Sequence, residues 1–396
     1  MGRARFIYLS HCLLAALMAI LAASCAPKAI QPLGWLDTPE HHTVTGIKLL
    51  QQEKCVDAGR EFELALQLNP RYAKAAAGSG LVKACRGDFA GARESLEQAT
   101  MYAQSDEDML FVLTGQIQVN ASSRAVCLKI GIECPKDDGW LKAAKETFDR
   151  ALRIDPAAAA VHYYMGECYL MAFDLETAGR LFSRVLDLNR GYVGQADDRW
   201  KLVQKIQRAM PATAAGKKIA LVERITRADA AALFMEELNI DALSARRKLR
   251  TFSTAVDDRG AERAESRSAS ATDITGHPLR TEIEGIIRIG IRGLDLYPDG
   301  TFRPDERIDR AGYAVIIEDI LIKITGDGTL ATRFVGSRSP FPDLRTDHPY
   351  FNAVMVVTSR GIMEAGDAAT GAFAPRQPVG GAEALLAIRK IREELR

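Results

Sequence analysis

Two stretches of this chain place an arginine directly behind a residue that can cap a helix: "ITRAD" holds Thr226, Arg227 and Asp229, and "IDRAG" holds Asp309 and Arg310. In the first, Thr226 can accept from the N–H of Asp229 while the Asp229 carboxylate reaches back, the reciprocal arrangement of a capping box. An arginine at the first turn then lies beside backbone N–H groups and the positive end of the helix dipole, which suits a carboxylate or another anion. A guanidinium at a helix start can equally pair with a neighbouring carboxylate and serve only the fold, so both roles stand open for Arg227 and Arg310.

Other chemistry is sparse. The six histidines include one adjacent pair, His41-His42, and no zinc, nucleophile-elbow or phosphate-loop motif is present in the sequence. No catalytic residue, metal ligand or cofactor is therefore expected, and the chain reads as a non-enzyme. Seven cysteines are too few for a disulfide scaffold, and their meaning depends on the compartment.

The elements that must position these residues come from a chain of 396 residues with 47% hydrophobic content, enough for two or three domains with real cores. A formal charge of +1 gives no sign of nucleic acid. The basic run "ARRKLR", Ala245 to Arg250, lacks interleaved aromatics and reads as a solvated helix face. Ahead of Arg310, "YPDGTFRPDERIDRAG" packs an Asp-Gly turn, a proline and the cap Asp309 before the apolar run Tyr313 to Ile324, the pattern of a turn feeding a buried helix.

At the amino terminus "MGRAR" precedes an apolar stretch, Phe6 to Ala23, that ends in "LAASC", Leu21 to Cys25. This resembles a bacterial lipoprotein signal, with Ala22 in place of the usual leucine three residues before the cysteine. The resemblance implies cleavage after residue 24, acyl chains on Cys25, and, with Ala26 rather than aspartate next, sorting to a periplasm-facing place on the outer membrane. A retained membrane span is the rival reading of the same stretch. Residues 25–40, with Pro27, Pro32 and Pro39, read as a tether.

A repeat comes next. Gly46 and Gly80 lie 34 residues apart, as do Ala58 and Ala92, Phe62 and Leu96, and Ala65 and Ala99. The same offsets return at Gly166, Ala178, Phe182 and Val185, while Ala144, Phe148, Ala151 and Pro156 match Ala58, Phe62, Ala65 and Pro70. These positions resemble the tetratricopeptide repeat, a helix pair in which glycine and alanine permit close approach. The resemblance implies an α-solenoid of four repeats over residues 41–196, with an insertion at about 119–138 and a concave face for a protein or peptide. Tyr163, Tyr164, Tyr169 and Phe182 read as core. Residues 197–215 form a capping helix and linker, and the helix Asp197 to Met210 can alternatively serve as the first helix of the second domain.

From Asp273 to Leu321 the order is a short helix, a glycine, an Asp-Gly turn, Phe302-Arg303-Pro304, and a helix opened by Arg310-Ala311. Phe341 to Ile388 repeats it with Phe341-Pro342-Asp343, His348-Pro349-Tyr350 and Phe373-Ala374-Pro375, and Ile225 to Leu238 represents a third copy. This resembles the S-layer homology domain, and it implies a three-lobed helical body over 216–394, interrupted by a flexible loop at about 256–273. In that family the matching arginine helps hold acidic cell-wall glycan, so the resemblance passes this role to Arg227 and Arg310. "VGGAEA" carries Gly381 at the matching place, a site without its charge.

The fold class expected is thus mostly α, a tetratricopeptide-type solenoid followed by a three-lobed S-layer-homology-type domain. Outside the cytoplasm Cys127 and Cys134 can close a short loop within the insertion, contributing about 2.5 kcal/mol. Cys55 and Cys85, expected near the ends of the first helices of adjacent repeats, form either a second bridge or two buried thiols. The function expected is a lipoprotein that binds wall polysaccharide or peptidoglycan through its lobes and a protein through its repeats. The alternative is an assembly or secretion accessory in which both halves bind protein.

Overall fold

The computed structural model describes residues 29, 31–32, 34–128, 139–245 and 271–395. The signal and Cys25, Cys134, and most of the loop expected at 256–273 lie outside the described residues. The described chain is mostly helical, and it divides into two compact units. The first comprises the described residues through Ala125, residues 139–172 and Asp187–Tyr192; the second holds residues 126–128, Phe173–Leu186 and Val193 onward.

In the first unit, α1 (Pro39–Gln51) pairs with α2 (Cys55–Leu68), and α3 (Ala73–Cys85) with α4 (Phe89–Tyr102). Small residues set the pairing distance. A Cβ on Gly46 of α1 would lie 2.8 Å from the Phe62 ring of α2, and one on Gly80 of α3 would lie 3.0 Å from the carbonyl oxygen of Ala92 in α4. Ala58, Phe62, Ala65, Ala92, Leu96 and Ala99 are accordingly buried. The next helix, α5 (Asp106–Cys127), continues into the segment expected as an insertion, because Val119 and Ala121 still find core. In α6 (Gly139–Ile154) Phe148 meets the ring of His162 edge-on, and His162, in α7 (Ala159–Met171), donates from Nε2 to the carbonyl of Pro156 at 2.9 Å.

Cys55 and Cys85 form a disulfide with Cα atoms 6.4 Å apart. Its placement differs from expectation: α1 ends at Gln51, the turn through Glu53 (φ 59°) reverses the chain, and Cys55 opens α2. The bridge therefore joins the second helix of one pair to the first helix of the next. Cys168 is buried and donates to the carbonyl of Ile117, and its burial pushes the thiol up to about 12.

The second unit contains most of α8 (Leu175–Leu188), then α9 (Val193–Ala209), α10 (Ala214–Ala220), α11 (Arg227–Ala232) with a π-helical turn at Leu233–Glu237, α12 (Arg280–Ile289), α13 (Arg310–Thr325), a 3₁₀ turn at Gly328–Thr332, α14 (Phe351–Ser359) and α15 (Gly381–Glu394). Here α9 packs on α15, α11 on α12, and α13 on α14. Its centre joins the π turn, α13 and α15 directly. Tyr313 of α13 is fully buried, stacks on Phe234 of the π turn at 5.7 Å, and donates its hydroxyl to the carbonyl of Ala384 in α15 at 3.0 Å.

Candidate functional site

The entry points of α11, α13 and α15 meet in a closed ring of backbone hydrogen bonds. Ile225 N–H donates to Val379 O at 2.9 Å, Val379 N–H to Ile308 O at 3.0 Å, and Ile308 N–H to Ile225 O at 3.1 Å. All three side chains are buried. The first turns of α11 and α13 are thereby set against the Phe302-Arg303-Pro304 and Phe373-Ala374-Pro375 turns, and that of α15 against Val222.

The two arginines complete this linkage. Arg227 donates from Nε to Phe302 O at 2.8 Å and from its two terminal nitrogens to Gly293 O at 2.6 Å and Asp295 O at 2.7 Å. Arg310 repeats the pattern one copy on, with Nε to Phe373 O at 2.8 Å, a second nitrogen to Glu364 O at 2.5 Å and a third to the Glu383 carboxylate. Their guanidinium carbons lie 4.7 Å from the Phe302 and Phe373 ring centroids, a cation–π seat in each case. Burial lowers both guanidinium pKa values from the ordinary range, as desolvation of a cation must. The first-turn N–H groups are also engaged: Arg227 N with Glu306 O at 2.8 Å and Ala228 N with Pro304 O at 3.1 Å, matched by Arg310 N with Gln377 O at 2.9 Å and Ala311 N with Pro375 O at 3.0 Å. Of the two roles left open by the sequence, this geometry supports the link between copies. The caps form as read, Thr226 with Asp229 reciprocally and Asp309 with the N–H of Gly312 at 2.7 Å.

At Gly381 the absence of a side chain has a steric cause. A Cβ there would run into the backbone of Ile219 in α10, and Gly381 N–H donates to Val222 O at 2.8 Å. The third junction is thus closed by backbone against backbone.

Two aspartates to which the sequence assigned no role of their own hold the turns themselves. Asp273 accepts from the N–H groups of Phe302 at 2.8 Å and Arg303 at 2.7 Å; Asp343 accepts from Phe373 at 2.9 Å and Ala374 at 2.7 Å. These pairings hold Arg303 and Ala374 at a φ of 56°, a left-handed conformation unusual for side chains of this kind. The end of the loop expected as flexible is therefore fixed, because Asp273 is engaged by the turn and Ala271 is buried. The readable signal was an aspartate about 30 residues ahead of each Phe-x-Pro.

Beside the Asp343 turn lies an open groove of about 940 Å³, lined by Arg345, Asp347, His348, Tyr350, Arg376 and Gln377 among others. The His348 and Tyr350 rings stack at 3.7 Å and form an aromatic wall. Arg345 Nε pairs with Asp347 at 3.0 Å, which holds the Asp347 carboxyl below its ordinary range. Arg376 is exposed and makes no ion pair among the described residues. At the matching positions copy two has Glu306 in place of Gln377 and Arg303 in place of Ala374; there Arg303 lies 3.9 Å from the Tyr297 ring centroid and pairs with Asp299 at 3.1 Å. A stacked aromatic wall beside an unpaired guanidinium suits a sugar bearing an acidic group.

Residues 340–385 match the family described as the S-layer homology domain, a span that contains this groove. No curated protein matched the chain. Among the described residues no cluster of metal-ligating side chains occurs, and no helix is long and apolar enough to cross a membrane.

Proposed function

We propose that the second unit binds acidic cell-wall glycan in the groove of its third copy, and that the arginines Arg227 and Arg310 hold the lobes in the arrangement that presents it. S-layer homology domains typically bind cell-wall polysaccharides, which ties the match to the cell envelope. The observation that carries the reading is the coincidence of the matched residues with an aromatic-walled groove that keeps Arg376 available. Lipid attachment at Cys25 would hold the chain to the outer membrane, facing the wall. No step of catalysis is required.

The first unit supports a protein partner. A groove of about 540 Å³ there is lined by the apolar Leu66, Pro70 and Ala76 and by Gln67, Ser79, Gln98 and Lys83, whose Nζ donates to Ser95 Oγ at 2.8 Å. Such amide, hydroxyl and ammonium groups fit the backbone of an extended peptide. Co-sedimentation with purified wall sacculi tests the glycan reading. Arg376→Ala, at unchanged melting temperature, and Tyr350→Ala, assayed well below its melting temperature, should each weaken it by about ten-fold, the loss of one charge-assisted contact or one stacking face. Full retention by both variants would favour the assembly role in which both halves bind protein.

A further inference from the structure

Residues 34–38, directly ahead of α1, are held in a turn. Asp37 N–H donates to Gly34 O at 3.1 Å, closing a turn whose two corner residues are Trp35 and Leu36. The far side of that turn is tied to the helices. His42 in α1 donates from Nε2 to Asp37 Oδ1 at 2.9 Å and from Nδ1 to Glu61 Oε2 of α2 at 2.7 Å, and Thr38 Oγ1 caps the N–H of His41 at 3.2 Å. Trp35 is nevertheless 86% exposed and Leu36 48%. Two large apolar side chains at the corner of this turn thus remain in water although their backbone is held.

Position in the chain indicates what covers them. Trp35 stands ten residues after Cys25, so a fully extended connection spans at most about 35 Å. With Cys25 held at a bilayer surface, the turn cannot leave that surface by more than this distance, and its effective concentration there is high. Tryptophan is the side chain best suited to the headgroup level, where its apolar body and its indole N–H are both satisfied, and leucine adds burial. We propose that Trp35 and Leu36 form a membrane-docking edge that settles into the interface of the bilayer carrying Cys25. The proposal rests on the lipid-anchor reading. A weak contact is sufficient, because the tether has already met most of the entropic cost of association.

The test uses the full-length acylated protein, its Cys25 modification established by intact mass, reconstituted into phosphatidylcholine vesicles with brominated acyl chains. Emission from one of the three tryptophans should be quenched, and Trp35→Phe should remove the quenched component. Since Trp35 is exposed, this variant should melt as the parent does. Absence of quenching in acylated protein, or equal quenching in Trp35→Phe, overturns the docking edge and leaves the anchor standing. Shielding of Trp35 from aqueous acrylamide without bromine quenching, accompanied by dimeric sedimentation, assigns the edge to a second copy and likewise overturns the proposal. An unacylated Cys25 overturns the anchor and the docking edge together.

Discussion

At the scale of single residues, Arg227 and Arg310 show how a charge can be placed by a helix cap and then used for architecture. Each guanidinium serves three acceptors while only 7% and 5% of the respective residues remain exposed. Removing either leaves the buried carbonyl of Phe302 or Phe373 without this donor and opens a hole where the guanidinium stood, so Arg227→Ala or Arg310→Ala should cost about 3 kcal/mol, read by denaturant unfolding of the second unit. Lysine should restore little, since one ammonium cannot match a planar fork aimed at three oxygens. The sequence made the position of these arginines legible, but not their direction, because the carbonyls they reach lie 54 to 75 residues away. His42 presents a second residue-scale case. Burial alone would lower its pKa, yet hydrogen bonds to Glu61 and Asp37 and their negative charge outweigh this and hold it above the ordinary value. With the folded pKa raised, its stabilising contribution is complete below the unfolded value near 6.5 and fades as pH rises through the folded value. An NMR titration should place His42 above 6.5, and Glu61→Gln should lower it.

At the scale of elements, legibility tracked spacing. Helix pairs in the first unit fall where glycine, alanine and phenylalanine recur, because those residues decide how closely two helices approach, and the approach is local in sequence. Helix ends were harder to read. Glu53 takes a left-handed conformation without glycine, so the break that places Cys55 at the start of α2 had no compositional mark. The π-helical turn at Leu233–Glu237 was equally silent; it carries Glu237, whose buried carboxylate accepts from Ala212 N, Thr213 N and Arg392. Disulfide placement has an energetic consequence for the first unit. The bridge closes a separation of 30 residues, and loop-closure entropy assigns it about 3.5 kcal/mol. Cys55→Ser with Cys85→Ser should therefore lower the melting temperature of the first unit by several degrees, seen by calorimetry, and reduction of the parent protein should reproduce the shift.

At the scale of the whole molecule, the two units draw their stability from different sources, and this makes their roles separable. The first is bridged by a disulfide between helix pairs, whereas the second is closed by a ring of three backbone hydrogen bonds and by Tyr313, which joins Phe234 of one copy to Ala384 of another. The ring could not be read from sequence, since its members Ile225, Ile308 and Val379 are ordinary apolar residues that become partners only when the three copies close on one another. The groove beside Asp343 was half legible: His348-Pro349-Tyr350 marked the module, but nothing in the sequence shows that the His348 and Tyr350 rings stack into a wall beside an exposed Arg376. If glycan is held there by charge, binding to sacculi should weaken as salt rises, and Arg376→Ala should flatten that salt dependence as well as lower the affinity. Reduction of the Cys55–Cys85 bridge should leave binding to sacculi unchanged while it destabilises the first unit. The informative comparison is Arg376→Ala against Arg310→Ala at a temperature where both are folded. Arg310→Ala should then bind sacculi nearly as the parent does, because its side chain faces the Phe373 and Glu364 carbonyls, and Arg376→Ala should not. The reverse order would return the anion site to the helix start and show that the buried guanidinium turns outward to meet its ligand.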